Sequence, residues 1–182
     1  MNWIRKSFIV LLLAGMPFMA HAQGTLLKPV LEIAELEIDD GDVTLTVFDM
    51  PEGDVHQYYL CVGTLGIGDD FVQLQIDPLN QLFLPLGNTL EEAQSKLESF
   101  KDVASLPAGK GFETEGVLAV GNPSMGEVEP VSLTSRRFLF QRIIEFSVQR
   151  NGYVRATHIG RGDLGSIISS VKFYRKFHPK EL

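Results

Sequence analysis

"HIGRGDLGSIISSVKFYRK", residues 158–176, contains Arg161-Gly162-Asp163, a tripeptide that can act as an adhesion signal, and its reading decides the fold. If Asp163 is a helix N-cap, the residues one, four, eight and eleven places later are Leu164, Ile167, Val171 and Tyr174, one apolar face of a helix. An aspartate there accepts a backbone N–H and meets the positive end of the helix dipole, together worth about 1–2 kcal/mol. Its carboxylate is then engaged locally and not offered to a receptor. The same offsets place Leu90, Ala93, Leu97 and Phe100 after Thr89, and Glu92 completes a capping box with Thr89.

Working outward, each helix is preceded by a hairpin pattern. "FVQLQIDPLNQLFLPLG" alternates on either side of Asp77-Pro78-Leu79-Asn80, and "IEFSVQRNGYVRATHI" turns at Asn151-Gly152, the strongest short hairpin signal in the chain. A further hairpin is expected around Asp39-Asp40-Gly41-Asp42, between Leu36 and Ile38 on one side and Val43, Leu45 and Val47 on the other. "VHQYYLCVGTL" is apolar on both faces, as a central strand is, and "TEGVLAVG" reads as another strand. "VASLPAGKGFE" and "NPSMGEVEP" read as loops. "RRFLFQRIIEFSVQR" reads as one strand with Phe138, Phe140, Ile144, Phe146 and Val148 on a single face. The expectation is an α+β fold: a largely antiparallel sheet of about eight strands with two amphipathic helices, arranged as two hairpin-plus-helix units.

The first 22 residues place Arg5 and Lys6 before an apolar run, a break at Pro17 and Ala20-His21-Ala22, the pattern of a secretory signal peptide. The expected organisation is therefore residues 1–22 as signal peptide and 23–182 as a single α+β domain, exported to the periplasm or secreted. No later run approaches the roughly 18 apolar residues of a membrane span. Gln23, not cysteine, follows the expected cleavage point, which argues against a lipoprotein. Cys61 is the chain's one cysteine, so no internal disulfide can form; it reads as a small buried hydrophobe.

Charge divides the chain. Residues 23–130 hold 4 basic and 20 acidic side chains, residues 131–182 hold 10 and 3. Such halves can attract each other within one fold, or present a basic face to an anionic partner. Net acidity argues against general nucleic-acid binding.

No strong motif for chemistry emerges. Ser166 lacks the second glycine of a nucleophile elbow. His56, His158 and His178 lack zinc spacing, and the acidic run after Glu35 fails the calcium-loop pattern. The glycines of "GTLGIGDD" and "PAGKGF" fail the phosphate-loop pattern. No catalytic, cofactor-binding or metal-ligating residue is therefore assigned. Arg142 interrupts an apolar face and must be paired, reach solvent at a bend or face a ligand. The terminal segment, a hairpin at Asn151-Gly152 and a helix ending "VKFYRKFHP", somewhat resembles the end of the TonB C-terminal domain, over only about 35 residues. It lacks that family's upstream tyrosine-proline and its tryptophan before the final aromatic, and no assignment follows. The expectation is a binding protein without catalytic activity whose partner is a protein or an anionic envelope component, met by Arg155, Arg161, Lys172, Arg175 and Lys176. The alternatives are an envelope-polymer hydrolase and a structural subunit.

Overall fold

The computed structural model describes residues 31–38, 43–52, 54–63, 66–67, 81–150 and 152–178. The expected leader, the turn at residues 39–42, the strand over 71–76 with its turn at 77–80, and Asn151 lie outside them. Nine strands, all antiparallel, form one sheet among the described residues: β1 (Leu31–Ile38), β2 (Val43–Asp49), β3 (Tyr58–Val62), β4 (Gly66–Ile67), β5 (Gln81–Gly87), β6 (Gly111–Ala119), β7 (Glu127–Phe138), β8 (Gln141–Arg150) and β9 (Tyr153–Gly160). Their order is β1-β2-β3-β5-β6-β7-β8-β9-β4. The two-residue β4 is the exception to chain order, pairing with β9 at the far edge.

Helices α1 (Leu90–Asp102) and α2 (Arg161–Phe177) pack against each other and against one side of the sheet. Helix α2 touches β1 and β2 as well as β8 and β9. At about 4.8 Å per strand, β1 and β9 would stand roughly 34 Å apart in a flat sheet, several times the width of a helix. Contact with both ends by one helix therefore requires the sheet to curl around the helix pair.

The core lies in that concavity. Leu45, Val47, Leu60, Leu84, Phe146 and Ile159 of the sheet meet Leu90, Leu97 and Phe100 of α1 and Leu164, Ile167 and Val171 of α2. Strand β3 is buried on both faces, as its two-sided apolar pattern requires. Tyr58, Leu60 and Val62 enter the main core, while Tyr59 and Cys61 join Met50, Phe83 and Ala119 in a second cluster on the outer face.

The helix starts combine agreement and correction. Thr89 caps α1, its Oγ1 accepting from Glu92 N–H at 3.1 Å, while the Glu92 carboxylate accepts from Asn88 N–H at 2.7 Å. Helix α2 begins three residues earlier than an N-cap at Asp163 implies: Gly160 is its N-cap and Arg161-Gly162-Asp163 is its first turn. From this third position Asp163 Oδ2 accepts the Gly160 N–H at 3.0 Å. The carboxylate is locally engaged as expected, by a different donor.

Two further expectations change. "NPSMGEVEP" is a 3-10 turn, Pro123–Met125, followed by the start of β7, not a loop throughout. "RRFLFQRIIEFSVQR" is not one strand: it spans the end of β7, a two-residue turn at Leu139-Phe140 and β8. Ile144, Phe146 and Val148 are fully buried, but Phe138 and Phe140 are 61% and 95% exposed. Of the two hairpin-plus-helix units, β8-β9-α2 is present; the leading strand of the other falls outside the described residues.

Candidate functional site

The five expected contact residues do not form one surface. Lys172 Nζ lies 2.9 Å from Glu98 and Arg175 pairs with Glu91, so both cations join α2 to α1. The Lys172 hydrogen bond, more than that of Gln94, holds the Glu98 carboxyl below its usual range. Arg155 stands opposite Val148, which puts it half-buried on the helix side of the sheet. Arg161 and Lys176 are exposed, but fifteen residues of helix separate them, about 22 Å. Arg150 also bridges to Glu127 and Glu129. Much of the basic half is thus spent on the acidic half.

Groups that could do chemistry are engaged elsewhere or stand singly. Ser166 Oγ donates to the Gly162 carbonyl one helical turn back, at 3.2 Å. Burial pushes the Cys61 thiol up to about 12, which leaves negligible thiolate at neutral pH. His178 stacks on Tyr174 at the helix end. No cluster of three metal-ligating side chains occurs among the described residues. On the outer face the buried Glu145 accepts from Arg136 at 2.9 and 3.2 Å and lies 3.1 Å from His158. Burial raises its carboxyl; the hydrogen bonds and charges of Arg136 and His158 outweigh that and hold it below the ordinary glutamate value. One pair escaped sequence reasoning: His56 Nδ1 lies 2.7 Å from the buried Asp49 Oδ2, an imidazole held by a carboxylate seven residues away. A shallow groove of about 570 Å³ runs between α2 and β1, lined by Ile33, Phe173, Tyr174 and Phe177 among others.

The end of the β7–β8 hairpin is different in kind. Strand β6 last pairs with β7 at Gly111–Thr134, and β9 last pairs with β8 at Ile143–Gly160. Residues 136–142 therefore run beyond both neighbouring strands, a finger of about 10 Å at 3.3 Å per residue. Phe138, Leu139 and Phe140 form its tip, all exposed. Leu139 adopts φ 52°, a left-handed backbone that costs a leucine about 1–2 kcal/mol where glycine would be relaxed.

Three arginines form the collar. Arg136 is tied to Glu145. Arg137 is exposed and makes no ion pair among the described residues. Arg142 stands directly opposite Arg137, a like-charge cross-strand neighbour that disfavours pairing. Its Nη1 donates to the carbonyls of Ser105 at 3.1 Å and Ala104 at 3.4 Å, in the 3-10 turn that ends α1, where the helix dipole favours a cation. Arg142 is thus neither in a salt bridge nor buried: it reaches carbonyl oxygens and keeps its net charge. Beside the base of the finger, the loop after α1 is fastened by Gly109 N–H to Ser135 O and Ser135 N–H to Lys110 O, both 2.8 Å, and exposes Leu106 and Lys110. Neither 103–110 nor 134–144 contains an acidic residue.

Sequence reasoning singled out Arg142 but missed the finger, because period-two alternation continues through Phe138 and Phe140 and no Gly, Asn or Asp marks the turn. The available signal was three apolar residues bracketed by arginines on both sides. Comparison with protein-family models, with curated proteins and with solved structures gives no match.

Proposed function

We propose that the protein is exported and acts as a binding module, without a reaction of its own, for an anionic component of the cell envelope. The observation that carries this reading is the basic, apolar-tipped finger on a chain of net charge −7. An acidic body with one cationic projection approaches an anionic partner in a preferred orientation. Arg161 and Lys176 are secondary contacts in this reading, since Lys172 and Arg175 are paired within the molecule.

Affinity capture from envelope and secreted fractions at low and high salt tests it. A specific partner should be recovered at low salt, released at high salt, and lost with Arg137→Glu. The hydrolase alternative draws on the His56–Asp49 pair, since a buried carboxylate orienting an imidazole is one half of a general-base arrangement. Turnover of an envelope polymer that His56→Ala abolishes, together with capture of nothing, would establish that alternative.

A further inference from the structure

We infer that the Phe138-Leu139-Phe140 turn inserts into the interface of a lipid bilayer bearing anionic headgroups, with Arg137, Arg142 and Lys110 meeting those headgroups. The inference rests on the binding reading above and names its partner.

Four independent features point the same way. The finger clears its neighbouring strands by about 10 Å, comparable to the 5–10 Å by which interfacial apolar segments enter the boundary between headgroups and acyl chains. Its three tip residues are all large, apolar and exposed. Arginines flank the tip in sequence on both sides, and neither 103–110 nor 134–144 holds a carboxylate; the next one, Glu145, is paired with Arg136. The turn also retains a leucine in a left-handed conformation and two arginines face to face, costs that the fold alone does not require. An apolar tip flanked by Arg137 and Arg142 matches the layered chemistry of a membrane surface, apolar chains beneath anionic headgroups. No helix among the described residues is long and apolar enough to cross a membrane, so the contact proposed is interfacial.

The test uses vesicles of phosphatidylcholine alone and of phosphatidylcholine mixed with phosphatidylglycerol. The protein should cosediment with the anionic vesicles and much less with the zwitterionic ones. Replacing Phe138 and Phe140 by serine together should weaken partition at least about tenfold on the anionic vesicles, because the apolar contribution is removed. Arg137→Gln should weaken it about fivefold, an effect erased by high salt. The chain's one natural tryptophan is Trp3, in the expected leader, so Phe140→Trp gives a reporter at the tip whose emission should shift to the blue on anionic vesicles. Circular dichroism of each variant should match the parent, since the substituted side chains are exposed. Equal partition of the parent and the serine variant, or tryptophan emission unchanged by lipid, overturns the inference. If vesicles are ignored while a protein is captured from envelope fractions through the same turn, the lipid partner is wrong and the binding reading stands. If size-exclusion chromatography shows a dimer that the serine variant abolishes, the tip is covered by a second copy and the lipid inference falls. If neither vesicles nor envelope fractions are bound, both readings fall.

Discussion

Asp163 steadies the start of α2 through a single contact, the Gly160 N–H. Asp163→Ala should therefore lower stability by about 1 kcal/mol, seen as a lower urea midpoint with an unchanged slope. A Cβ at Gly160 would stand 2.6 Å from Asp163 Oδ2, so Gly160→Ala should displace the same carboxylate and add little when combined with Asp163→Ala. The sequence reading found the right carboxylate and missed its donor, because an N-cap glycine has no side chain to announce it. Glu145 makes the pH prediction. Its folded-state value is depressed below the ordinary 4.5, so its stabilising contribution is complete above 4.5 and is lost as pH falls through the folded value. The stability gap between the parent and Glu145→Gln should accordingly be largest near neutrality and shrink as the solution is acidified below 4.5, measured by denaturation across that range.

Strand β7 shows why element boundaries escaped the sequence. The stretch expected to be a loop ends at Pro130, a residue that cannot donate to a ladder. In the structure β7 pairs with β6 from Glu127 onward, but with β8 only from Val131, so Pro130 lies where one side of the strand has no ladder partner. The helices were legible because their apolar spacings are local, whereas the overhang of the finger depends on where β6 and β9 stop. Gly116 in β6 supplies a test of the curled sheet. An added Cβ would come within 2.6 Å of Val131 Cγ2 and 2.9 Å of Leu82 Cδ1 on the concave side. Gly116→Val should cost about 1–3 kcal/mol by overpacking, read from the thermal midpoint, while leaving the distant finger unaffected.

At the scale of the molecule, α2 is what closes the concavity. Leu164, Ile167, Ile168 and Val171 are buried, and removing them gives up about 6–12 kcal/mol of apolar burial, as much as a typical domain's whole stability. A chain ending before Arg161 should bind a hydrophobic dye and aggregate, while Lys172→Ala should leave the fold intact because its ion pair is exposed. The overall class and the charge division were readable from composition and periodicity; the curl was not, since it arises from contacts between elements more than a hundred residues apart. That separation bears on biogenesis. Because β1 rests against α2, a chain delivered from its N-terminus leaves its first described strand without that cover until the last turns emerge, so completion of the tertiary structure waits for release of the C-terminal segment.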